Sequence, residues 1–169
     1  MTRVILLPAG GPAALEHYRR TIQTPVRLPR LAPLLSAAEV AALSALFPDG
    51  LLRVWGVTPG SANRNQKKWD RFEPDDLVLF CGQGGVFSSG FLKYKTHNRQ
   101  VSLALWNTDA DGQTWEYVCF VTEVRNHRIG YRELAAAAGY SSEFVVLGVN
   151  ILSEDKSAGV IAKLGLLDD

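Results

Sequence analysis

The stretch RVWGVTPGSANRNQKKW, residues 53–69, decides how the rest of the chain is read. The β-branched and aromatic residues from Val54 to Val57 predict a short strand, and Pro59-Gly60 predicts a turn. A polar, basic helix is expected from about Ser61 to Trp69. Cations that hold phosphate, amides and hydroxyls that read an edge, and a ring that stacks thus fall within one turn-and-helix unit. The same pattern suits a surface helix with Trp69 in the core, and the helix alone does not separate the two readings.

Outward from this unit toward the C-terminus, the texture is mostly β. Runs at Leu77–Cys81, Val86–Lys95, Val101–Trp106, Thr114–Thr122 and Phe144–Ile151 read as further strands. A short helix is expected over Tyr131–Ala138, closed by Gly139 in the left-handed conformation. A tail helix is expected over Ala158–Leu167. About six short strands with helices at the margins predict an α+β fold, a strongly curved sheet or small β-barrel. Six strands close only around side chains, so a ligand is expected at a rim or on a face.

Toward the N-terminus, Val4–Leu7 is a short apolar run ended by Pro8-Ala-Gly-Gly-Pro12. Pro12 suits the first turn of a helix with Leu15, Tyr18 and Ile22 on one face. Residues 24–33 carry three prolines and read as an extended strap. Ser36 and Glu39 form a capping box that opens an Ala/Leu-rich helix through Phe47. This divides the chain into an N-terminal strand/helical appendage (1–50), a main domain (51–152) and a C-terminal tail or linker (153–169).

At 169 residues, 47% apolar and 21% charged, the chain is long enough to bury a sizeable core. No apolar run approaches the roughly 20 residues that span a bilayer, so no membrane partner is expected. The apolar start is too short for a secretory signal, and the two cysteines have no close Cys or His partners, which implies a cytoplasmic setting. Residues 1–99 hold 13 Lys/Arg against 7 Asp/Glu, whereas residues 100–169 hold 5 against 10. A basic face built from the first part is what a polyanion attracts. The phosphate-loop and dinucleotide glycine spacings are absent, as are zinc motifs, so neither cofactor nor metal is expected. His17, His97 and His127 are scattered, and Glu154-Asp-Lys156, which mimics the tail of a nuclease motif, lies in a polar turn. Catalysis by this chain is therefore not expected.

The run Val54-Trp-Gly-Val-Thr-Pro-Gly60, its spacing to Trp69, Asp75-Asp-Leu-Val-Leu-Phe80 and Gly90-Phe-Leu-Lys-Tyr-Lys95 resemble the EVE-like branch of the PUA-like fold. So do Leu103-Ala-Leu-Trp106, Thr114-Trp-Glu-Tyr-Val-Cys-Phe120 and Gly139-Tyr140. The similarity covers roughly residues 51–152. Related YTH domains hold a methylated adenine in an aromatic cage. The resemblance implies cage walls at Trp69 and at Trp106, the latter closing a strand. The third cage position falls on Asp111, where the carboxylate of Asp111 or Asp109 would accept from an exocyclic amine. Thr58, Ser61 or Asn63 would meet the base edge, and Arg64, Lys67, Lys68, Lys93 and Lys95 would contact phosphates. Trp106 taken without the resemblance reads as core.

EVE-like modules often precede HNH-type nuclease domains in restriction enzymes that cut modified DNA, and the opening Val4-Ile-Leu-Leu-Pro-Ala-Gly-Gly11 is similar to the start of such chains. The resemblance therefore implies a partner DNA carrying a modified base (methylated or hydroxymethylated cytosine, or methylated adenine), with a nuclease domain or subunit supplying cleavage. An RNA-binding PUA-like module and a free nucleobase or nucleoside sensor are the alternatives.

Overall fold

The structure is a computed structural model that describes all residues, Met1 to Asp169. It is α+β, with seven strands in the order β2-β3-β6-β5-β4-β1-β7. The strands are β1 (Val4–Pro8), β2 (Val26–Arg27), β3 (Leu51–Val57), β4 (Leu77–Gly82), β5 (Gly85–His97), β6 (Tyr117–Gly130) and β7 (Asn150–Ile151). The helices are α1 (Pro12–Tyr18), α2 (Leu28–Leu31), α3 (Ala37–Leu46), α4 (Arg64–Trp69), α5 (Arg99–Trp106), α6 (Tyr131–Ala138) and α7 (Glu154–Lys163). Two compact units form, one of Met1–Ala14, Phe72–Phe91 and Glu123–Asp169, the other of Leu15–Arg71 and Leu92–Thr122. Strands β5 and β6 contribute residues to both.

In the first unit β1 lies between β4, to which it is parallel, and β7, to which it is antiparallel. The near-continuous apolar run of β1 follows from burial on both faces. β4 and β5 are joined by the two-residue turn Gln83-Gly84, whose positive φ values of 53° and 93° match the right-handed twist of a hairpin. Helices α6 and α7 cover the sheet with Leu134, Ala137, Ala138 and Val160 against Leu6, Leu79 and Val86. Ser157 Oγ, buried on α7, accepts the Val4 N–H at 2.9 Å and so ties that helix to β1. Arg3 holds the buried Asp76 carboxylate through two bonds, at 2.8 and 3.3 Å. The N-terminal segment is thus a strand of the sheet, which corrects its reading as an appendage.

In the second unit β3 pairs antiparallel with β6, Arg53 opposite Val121 through Val57 opposite Tyr117, and β2 flanks the other edge of β3. Val54, Val118 and Phe120 face a core with Leu43, Phe47, Val101 and Leu105. The capping box at Ser36 and Glu39 opens α3 as expected. The strap over 24–33 is instead a two-residue strand and two short helical turns, each with a proline near its start, where the missing N–H costs nothing. Residues 101–106, expected as a strand, are helical. The Asn98 side chain caps this helix by accepting the Val101 N–H at 2.9 Å, and Val101, Leu105 and Ser102, Trp106 recur at helical spacing on the buried side. The expected strand over 144–151 is reduced to Asn150–Ile151, and the tail helix begins four residues early, at Glu154, capped by Ser153.

Candidate nucleic-acid interface

The β3–β6 ladder ends at Val57 and Tyr117, so Thr58 and Glu116 are the next residues beyond it. The loops 58–63 and 107–116 therefore leave the same end of the second unit. In the first of them Pro59 O accepts the N–H groups of Asn65 and Gln66 at 3.0 and 3.3 Å, turning the chain into α4. Gly60 has φ of 76°, and a Cβ there would lie 3.0 Å from the Asn65 side chain. Ala62 and Asn63 follow with φ of 52° and 57°. Two consecutive non-glycine residues in the left-handed region store strain on the order of 1–3 kcal/mol each. They hold Ser61, Ala62, Asn63 and Arg64 exposed on the rim, with Thr58 half-buried behind them.

Helix α4 ends at Trp69, which is 7% exposed. Its ring rests on Tyr117, centroids 5.2 Å apart at 60°. Lys95 Nζ lies 4.5 Å above the Trp69 ring and donates to the carbonyls of Trp69 and Asp70 at 2.8 and 2.9 Å. Lys95 thus closes the C-terminal end of α4, where a cation is favoured, and its ammonium is committed there. Cys119 lies beside the indole, and burial pushes its thiol up to about 12, with the Trp69 N–H and Lys95 opposing this. A neutral thiol is a poor acceptor, and Trp69 Nε1 is left buried without a hydrogen-bond partner.

Trp106 is 4% exposed and arrives at the end of α5. It stacks on His17 at 5.6 Å, while Trp115 meets the same imidazole edge-on at 4.3 Å. Gly56 makes room for both: a Cβ there would lie 2.7 Å from the Trp106 ring and 2.3 Å from the Trp115 carbonyl oxygen. Burial lowers the His17 pKa to about 4, with Arg20 assisting and Glu16 opposing. The two indoles expected as open walls are therefore interior in this structure, packed on different neighbours, and Trp106 closes a helix rather than a strand.

The loop after α5 starts at Asn107, whose φ of 60° and ψ of −141° are ordinarily the province of glycine. Thr114 Oγ1 donates to the Asn107 carbonyl at 2.6 Å. One carboxylate oxygen of Asp109 accepts the N–H groups of Asp111 and Gln113, both at 2.9 Å, so Asp109 shapes the turn. Asp111 is exposed at its tip. Of the remaining basic candidates, Arg64 and Lys67 are exposed, and Lys68 and Lys93 are half-buried.

Sequence reasoning missed His97, Arg99, Glu116 and Tyr117. The His97 ring lies parallel to Tyr117, centroids 4.5 Å apart at 7°. Its Nε2 is 2.8 Å from Glu116 Oε1, and Arg99 Nη1 donates to Glu116 Oε2 at 3.1 Å. Burial, then Glu116 and Asp70, raises the Tyr117 pKa, so its phenol stays neutral. The alternation Lys93, Lys95, His97 along one strand was the available signal, since those positions share a face. The second unit, which holds all these groups, carries twelve Lys/Arg against seven Asp/Glu; the first carries six against ten.

No family model matches the sequence, and no curated protein matches it. The structure matches that of the N-terminal domain of Thermococcus gammatolerans McrB bound to m5C DNA, with a TM-score of 0.70. The match covers 99% of this chain and 100% of that one at 12% sequence identity. The two share a fold. The match runs over the N-terminal residues as well as over residues 51–152.

Proposed function

We propose that this protein binds DNA carrying a modified base, 5-methylcytosine first among them, as the recognition module of a modification-dependent restriction system. The observation that carries this reading is the fold shared along nearly the whole chain with a domain bound to m5C DNA. The excess of Lys and Arg in the unit that presents the polar loops supports it.

The base is taken out of the duplex at the rim beyond Val57 and Tyr117. Extrusion costs a few kcal/mol, and stacking on an aromatic ring returns about 1–3 kcal/mol. Thr58, Ser61 and Asn63 offer hydroxyl and amide groups to the base edge, and Asp111 offers a carboxylate to an exocyclic amine. Trp69 and Trp106 back this rim from inside. Arg64, Lys67, Lys68 and Lys93 supply the sequence-independent attraction to phosphate. Burying one methyl group contributes only about 0.8 kcal/mol, so discrimination depends on edge hydrogen bonds that the wrong base leaves unpaired. Cleavage belongs to a nuclease domain or subunit.

The test is fluorescence anisotropy at moderate salt on duplexes identical except for one 5-methylcytosine, with an RNA of the same sequence as competitor. Tighter binding of the methylated duplex is expected. Equal affinity for both duplexes, or displacement by the RNA, sinks the reading.

A further inference from the structure

We propose that the outer face of His97 is the stacking platform for an unstacked nucleobase, and that Arg99 holds that nucleotide's phosphate. This rests on the reading of the rim as a DNA-binding site. Both indoles first expected to stack on a base have their planes engaged: Lys95 lies 4.5 Å over Trp69, and His17 stacks on Trp106 at 5.6 Å. His97 is different. One face lies flat on Tyr117, its Nε2 edge is held by Glu116 at 2.8 Å, and its side chain is still 52% exposed. With one face and one edge covered, the exposure belongs largely to the other face.

The support beneath this ring is continuous. Tyr117 is 6% exposed and rests in turn on Trp69, which Lys95 pins to the end of α4. An aromatic plane fixed in this way loses little rotamer freedom when a base settles on it. Glu116, with its side chain only 14% exposed, bonds His97 and Arg99 together and sets a guanidinium beside the ring. A flat π-surface next to a cation is the pairing that takes one nucleotide, base on the ring and phosphate on the cation. Glu116 is a positioning residue: it orients both groups.

The test uses the full chain and duplexes with and without one 5-methylcytosine, carrying 2-aminopurine in turn on each side of the cytosine. His97→Ala is expected to weaken binding to both duplexes by about five- to a hundredfold, the span of one base stack. It should also relieve the 2-aminopurine quenching that the wild type produces at one position. His97→Phe, which keeps the plane, should restore both, and Arg99→Gln should weaken binding without relieving the quenching. Affinity for the two duplexes within twofold of wild type for His97→Ala, or quenching that persists in it, overturns the inference while the preference for methylated DNA stands. A His97→Phe variant that melts as wild type yet does not rescue overturns it as well. A wild-type chain with no preference for the methylated duplex instead removes the functional reading, and this inference with it.

Discussion

Burial holds His17 well below the ordinary imidazole range. Wedged against Trp106 and Trp115, it is desolvated, and its pKa of about 4 keeps the imidazole neutral. Its folded pKa lies below the unfolded value near 6.5, so the unfolded chain binds the extra proton first as pH falls. The stability this group contributes is therefore complete above about pH 6.5 and is lost progressively down to about pH 4. Between pH 7.5 and pH 5 the loss is about 2 kcal/mol from this group. Urea unfolding at the two pH values measures it, with His17→Phe as the control: its loss over the same interval should be smaller by about that amount. Residue-scale roles were only partly legible in the sequence. Trp69 and Trp106 stand out there as aromatics, but whether a ring offers a free plane depends on distant partners. Lys95 comes to Trp69 from 26 residues away, and no local pattern announces it. The role of His97 is hidden for the same reason: it depends on Tyr117, which begins the neighbouring strand, and on Glu116 in the loop just before it.

At the scale of elements, what local chemistry writes into the chain was readable: the Ser36/Glu39 capping box, the left-handed Gly139 after α6, and the strand before Pro59-Gly60. What tertiary packing decides was not. Residues 101–106 alternate loosely enough to pass for a strand, and the same apolar positions serve a helix once its start is capped. Asn98 settles that choice with two bonds, accepting from Val101 N at 2.9 Å and donating to Leu34 O at 2.9 Å. Asn98→Ala removes both and is expected to lower stability by about 1–2 kcal/mol. Asn98→Asp keeps the cap and should cost roughly half as much. Urea midpoints of the two variants read this difference directly, and equal losses would assign the stabilisation to the Leu34 bond alone. β1 makes the complementary case. Its brevity and the prolines around it suggest an appendage, yet Val4, Ile5, Leu6 and Leu7 are at most 1% exposed, between two strands. A chain lacking residues 1–10 is expected to lose the cooperative thermal transition of the first unit, followed by near-ultraviolet circular dichroism. An unchanged transition would restore the appendage reading.

For the molecule as a whole, a net charge of +1 hides its distribution. The twelve Lys/Arg of the second unit exceed its acids by five, and the first unit is acidic by four. Not all of that positive charge is available to DNA: Lys95 is occupied at the end of α4. Arg64 and Lys67 are exposed on α4, directly after the strained turn that carries the edge-reading groups. Every phosphate that the protein no longer neutralises lowers the slope of log affinity against log salt by about 0.9. Arg64→Gln with Lys67→Gln should therefore flatten that slope by about 2. It should weaken methylated and unmodified duplexes alike, because cations on phosphate position the protein without reading the base. Lys95→Met should leave the slope unchanged and instead lower the melting temperature, since it removes a cap and a cation over an indole. Titrations from 50 to 200 mM salt separate the two effects. A flattened slope for Lys95→Met with unchanged stability would place its ammonium on the DNA and not on the end of the helix.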